Sequence, residues 1–204
     1  MTTPPAVIST RVLPRTRTVT AVLVIGFALL TALMAQIRIP LWFTPVPITG
    51  QTFSVLLAGA ALGMRAGAAS QALYWTLGAV GLPFYAGAGS ENVLTCGCWP
   101  GDGGWHIVTG ATGGYLIGFI AAAALVGFLA ERRQDRNVVT AIAAFLAGSA
   151  VIYLFGVTWL ANNLDIGATR AMELGMVPFV IGDLVKIALA GVALPTAWRI
   201  VGRG

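Results

Sequence analysis

The sequence predicts an all-α integral membrane protein of six transmembrane helices, and three observations carry that prediction. Of its 204 residues 57% are hydrophobic and only 9% charged, where a soluble domain carries about a quarter, and the mean hydropathy is +0.86. Apolar runs near the ~20 residues that cross a bilayer as helix recur along the chain. The eleven arginines and one lysine sit mostly at the ends of those runs instead of forming a stripe. That is topogenic charge, and it argues against a nucleic-acid partner despite the net charge of +5.

Residues 1–17 combine three prolines, three arginines and several Ser/Thr with little apolar periodicity, and read as a mobile cytoplasmic arm. Residues 18–204 then form one membrane domain. The first span is 18–37 (TVTAVLVIGFALLTALMAQI). An arginine-led apolar run also fits a secretory signal, but this one is longer than a usual signal core and more spans follow. Pro40, Pro45 and Pro47 in IPLWFTPVPITGQ forbid continuous helix and predict a rigid extended loop. Residues 51–64 and 67–80 read as two short apolar helices split by a turn around Arg65, a hairpin or two partly broken spans.

From 81 to 108 the composition shifts to Gly, Pro, Ser, Asn, Cys and Trp, which predicts the longest external loop. The fourth span covers about 109–130 and ends in the charged ERRQDRN; the fifth covers about 138–160. A polar connection with one amphipathic turn fills 161–177, and the sixth span covers about 178–200. With the amino terminus cytoplasmic, that side holds Arg11, Arg15, Arg17, Arg65, Arg132, Arg133, Arg136, Arg199 and Arg203, while the other holds Arg38 and Arg170. This imbalance predicts both termini cytoplasmic.

Asp183 and Lys186, in PFVIGDLVKIALAG, are the ionisable pair inside a confident span, and three residues apart they share a helix face. Each charge at a helix centre costs at least about 2.5–3.5 kcal/mol, so the pair needs a reason. A ligand site in the outer part of the bundle supplies one: Asp183 accepts N–H bonds and Lys186 donates. Mutual neutralisation in a structural pair is the alternative. Gly110, Gly113, Gly114 and Gly118 are no phosphate loop, since GATGGY lacks the Gly-Lys-Ser/Thr ending; they let a backbone or ligand approach closely. Cys96 and Cys98 with His106 fall short of four metal ligands, and a disulfide or free thiols fit better, so no metal is expected.

The blocks TPVPITGQTFSVLLAGAALG (44–63), LGAVGLPFYAG (77–87), TGATGGYLIGF (109–119) and PFVIGDLVK (178–186) together resemble, in order and over roughly 21–200, the BioY family of biotin-binding S components of energy-coupling-factor (ECF) transporters. The resemblance implies a six-helix S-component bundle in a bacterial cytoplasmic membrane. It implies biotin as ligand, no cofactor and no catalysis, with ATP used by partner ATPases beside a transmembrane coupling protein. Biotin's ureido ring, apolar thiophane and carboxylate need an acceptor, donors and an aromatic wall. Carried over by position, the site is Asp183 and Lys186 with Thr49 and Gln51 beside the proline-rich loop, Gly113, Gly114 and Tyr115 in the glycine block, and Tyr74 and Tyr85 as aromatic faces. Asp183 takes a ureido N–H; Lys186 takes either the ureido carbonyl or the carboxylate. Ala28 and Ala32, a small-xxx-small pair, become candidate contacts to the coupling protein, with ordinary packing inside the chain as the alternative. The Cys/Trp loop is richer in those residues than the family pattern. A solitary or ion-coupled carrier wants inverted repeats and coupling acids, neither of which is evident, although six spans in lipid could still dimerise.

Overall fold

A computed structural model describes residues 7–12, 16–86 and 104–202. Its elements are, in order, α1 (Ile8–Val12), α2 (Arg17–Gln36), β1 (Arg38–Ile39), β2 (Ile48–Thr49), α3 (Gln51–Leu62), α4 (Met64–Ala79), α5 (Trp105–Thr109), α6 (Gly113–Glu131), α7 (Val138–Leu164), α8 (Ala168–Gly175) and α9 (Val177–Gly202). Among the described residues, four helices are long and apolar enough to cross a membrane: Arg17–Gln36, Gly113–Glu131, Val138–Leu164 and Val177–Thr196. Cys96 and Cys98 lie outside the described residues.

The proline-rich segment is a short antiparallel hairpin with register Arg38↔Thr49 and Ile39↔Ile48. It is fixed to the end of α2, where the Gly50 N–H donates to the carbonyls of Met34 and Ile37. The prolines explain why the ladder stops after two pairs, since proline supplies no donor.

α3 and α4, of 12 and 16 residues, measure about 18 and 24 Å at 1.5 Å per residue. They break at Gly63, whose φ of +87° suits glycine, and not around Arg65 as the sequence reading has it. Glu131 fixes the break from the end of α6, its Oε1 accepting the Met64 N–H at 2.9 Å. α6 is the most buried of the four long helices. Small residues let it approach so closely: a side chain at Gly59 would run into the Ala123 backbone, and one at Gly127 into the Gly63 and Met64 backbone.

The region read as a mobile arm contains α1, and Val7 just before it is 3% exposed in a cluster with Leu56, Val126 and Phe145. α7 runs four residues past the expected end of its span, to Leu164, and closes on Asp165 in left-handed conformation. The amphipathic turn expected after it is the two-turn helix α8.

At the opposite end from the hairpin, the turn between α6 and α7 buries Asp135 to 3% exposure. Its Oδ2 accepts the Trp198 indole N–H of α9 at 2.5 Å, and the Arg136 guanidinium lies 4.3 Å from the Trp198 ring centre. Burial pushes the Asp135 carboxyl up from its ordinary range, with the Trp198 hydrogen bond opposing the shift.

Candidate binding site

Asp183 and Lys186 lie on one face of α9, as their spacing requires, and form an ion pair of 2.9 Å. Asp183 is 5% exposed. Its Oδ1 accepts from Lys186 Nζ and from the Thr52 hydroxyl, both at 2.9 Å, and its Oδ2 accepts from the Tyr153 hydroxyl at 2.6 Å. Lys186 Nζ also donates to the Thr49 carbonyl at 2.6 Å and to Thr52 Oγ1 at 3.1 Å. Four elements therefore meet at two charges: β2, the first turn of α3, the middle of α7 and the first half of α9. A partly buried pair is tolerated when further hydrogen bonds satisfy both partners, and that condition is met here.

The pair forms one side of a cavity. Thr49, Gln51 and Thr52 continue its polar side, and Tyr85, Tyr115, Tyr153, Phe119 and Phe179 make aromatic walls. Val46 and Pro47 of the hairpin line its end. Thr112, Tyr115, Leu116 and Phe119 all face inward, the i, i+3, i+4, i+7 stripe of one helix face continued one residue ahead of α6. Three aromatic hydroxyls are already engaged within the protein, so their rings are what they offer a ligand. Tyr115 donates to the Gly175 carbonyl at 2.7 Å, Tyr85 to the Trp75 carbonyl at 2.5 Å, and Tyr153 to Asp183. Burial raises the Tyr85 phenol above its ordinary value, which keeps that donor protonated.

The chain matches the BioY family over residues 9–203. The chain belongs to the BioY family. Among its relatives, the biotin transporter BioY of Rhizobium etli is 35% identical over 170 residues, 80% of this chain and 83% of that protein. The biotin transporter BioY of Thermotoga maritima is 37% identical over 164 residues, 80% and 86% of the two chains. The crystal structure of an S-component for biotin from an ECF-type ABC transporter covers 92% of this chain and 94% of its own, with a TM-score of 0.76 at 23% identity. The fold of this BioY protein is thus that of an S component. It is a transport protein of the cytoplasmic membrane, multi-pass, and not an enzyme.

Of the residues singled out in this BioY sequence, Asp183, Lys186, Thr49, Gln51, Tyr85 and Tyr115 line the one cavity. Tyr74 stands behind it, its hydroxyl accepting from Gln51 Nε2 at 2.6 Å and its ring edge-on to Tyr85 at 5.5 Å. Gly113 and Gly114 do not line the cavity. They face the Val108 carbonyl and Trp159, where a side chain would collide, so they bring α6 close to α5 and α7. Ala28 and Ala32 also turn inward, at 0% and 7% exposure within the apolar core, because the outer face of α2 is carried by Val22, Ile25, Leu29 and Leu33. Both alanines are thus packed within the chain, the ordinary-packing alternative to a partner contact. Sequence reasoning missed Thr52 and Tyr153. The first follows Gln51 on the first turn of α3. The second is the chain's remaining tyrosine, in the middle of an otherwise apolar span.

Proposed function

We propose that this chain captures biotin from outside the cell and is the substrate-binding subunit of an ECF-type transporter. The observation that carries the reading is the sharing of one aromatic-walled cavity by Asp183 and Lys186. Biotin presents two ureido N–H donors, a ureido carbonyl, an apolar ring and a carboxylate. A carboxylate has about four acceptor positions, and three bonds reach Asp183 from within the protein. One position remains for a ureido N–H. The three protons of Lys186 meet three internal acceptors, so a ureido carbonyl or a carboxylate of the ligand takes the place of one of them. Thr49 and Gln51 supply further polar contacts, and Tyr85 and Tyr115 flank the thiophane.

In this reading α3 and α4 are two short spans that bring the total to six, and both termini are cytoplasmic, in keeping with the arginine balance of nine to two. A transmembrane coupling protein and two ATPases complete the transporter and hydrolyse ATP, so this chain needs no cofactor. Labelled-biotin uptake by cells lacking their own transporter tests the assembly. Uptake should need co-expressed coupling protein and active ATPases; uptake by the chain alone that collapses with the proton gradient would replace the subunit reading with an ion-coupled carrier.

A further inference from the structure

The hairpin between α2 and α3 puts its largest apolar side chains outside the protein. Trp42 is 96% exposed and Phe43 43% exposed, their rings in edge contact at 5.3 Å. The tip is nevertheless fixed from both sides. Leu41 packs against the core, Val46 is 7% exposed, and the Thr44 hydroxyl donates to the Leu174 carbonyl of α8 at 2.8 Å. Trp42 is therefore held outward by the anchoring of its neighbours.

Its depth follows from α2. Twenty residues at 1.5 Å make about 30 Å, the thickness of the hydrocarbon layer. Residues just beyond the last turn of α2 accordingly fall at the headgroup level. Beyond the exposed apolar face of α2 (Val22, Ile25, Leu29, Leu33), Ile37 and Ile39, each 59% exposed, add further outward apolar side chains toward the tip, with Gln36 and Arg38 exposed among them. Arg38, also exposed, lies at the base of the same hairpin, in β1. An outward tryptophan at that depth, on a hairpin that also carries an exposed arginine, has the chemistry of a membrane interface, where the indole ring is apolar on its faces and donates from its N–H.

We propose that the hairpin tip docks in the interfacial zone of the bilayer leaflet at the cavity's end, with Trp42 and Phe43 as anchors among the phospholipid headgroups and upper acyl chains. Through Val46, Pro47 and the Thr49 carbonyl, the same hairpin that touches lipid then closes one end of the cavity.

The test is tryptophan fluorescence of the whole chain in phosphatidylcholine nanodiscs, comparing wild type with Trp42→Phe, an exchange at an exposed position that keeps an apolar ring beside Phe43. The difference between the two isolates Trp42. It should be blue-shifted relative to indole in water, quenched most by lipids brominated near the carbonyl end of the acyl chain, and little affected by aqueous acrylamide. Quenching by acrylamide but not by brominated lipid would put the tip in water, and strongest quenching by bromines at the chain ends would put it in the bilayer centre. Protection from both quenchers would mean a protein contact, such as a second copy of this chain. Each of these three results overturns the proposal.

Discussion

The hydroxyl of Tyr153, in the middle of α7, donates to Oδ2 of Asp183 on α9 at 2.6 Å, while Lys186 and Thr52 both engage Oδ1. The carboxylate is thereby held from both sides, which fixes the orientation of its remaining acceptor position. Tyr153→Phe keeps the aromatic wall and removes only that donor. A hydrogen bond to a charged group contributes about 1.5–3 kcal/mol. Biotin affinity, read by calorimetric titration, should fall by roughly tenfold or more with the fold retained. An unchanged affinity would remove Tyr153 from the site.

Ala28 gives a second test, because burial and a partner surface predict different failures. With Ala28 fully buried, Ala28→Leu forces extra volume into packed space, at a cost of about 1–3 kcal/mol. The purified subunit should melt at lower temperature, by itself, in detergent. A normal melting temperature combined with loss of assembly onto the coupling protein would restore the alanine face as a partner contact.

Gly114 distinguishes packing from ligand contact in the glycine block. A methyl group there would meet the Trp159 side chain and the Phe155 carbonyl, so Gly114→Ala should destabilise the α6–α7 contact by about 1–3 kcal/mol. Thermal melting measures this. Reduced biotin affinity at unaltered stability would place Gly114 against the ligand.

Asp135 predicts a pH dependence of stability. Its carboxyl is raised above the ordinary range by burial, so the folded chain holds that proton more tightly than the unfolded one. The stabilisation is complete below the ordinary aspartate range and is lost as pH rises through the elevated value. Asp135→Asn keeps an acceptor for Trp198 and removes the titration. The difference in melting temperature, variant minus wild type, should grow in the variant's favour as pH rises from the ordinary aspartate range toward neutral, until the raised carboxyl has ionised. A flat difference would refute the assignment.

How much of this was legible in sequence depends on the kind of signal. The long helices α2, α6, α7 and α9 show because hydrocarbon demands a sustained apolar run, and few other features produce one. Asp183 and Lys186 show because charge inside such a run is costly. The break falls at Gly63 and not around Arg65 because charge marks a turn in sequence, whereas the backbone needs the residue that tolerates positive φ. The inward stripe of Thr112, Tyr115, Leu116 and Phe119 depends on the phase of α6, and a glycine-rich start hides where a helix begins. Counted back from Phe119, the helical phase puts Gly113 and Gly114 on the packing side. Tyr153 left no signal of its own, since a lone tyrosine in an apolar span reads equally well as packing. Only the fold brings it to Asp183.

The central claim is that biotin binds against Asp183 and Lys186, and calorimetric titration of biotin into the detergent-purified chain, beside Asp183→Asn and Lys186→Ala, tests it most directly. Each substitution leaves the opposite partner of a buried pair uncompensated, a loss of about 2–5 kcal/mol when such a pair holds a ligand. Wild type should bind tightly and one-to-one, with a loss of at least about thirtyfold in each variant that still melts cooperatively. Wild-type affinity in either folded variant, or no biotin binding by folded wild type, would contradict it.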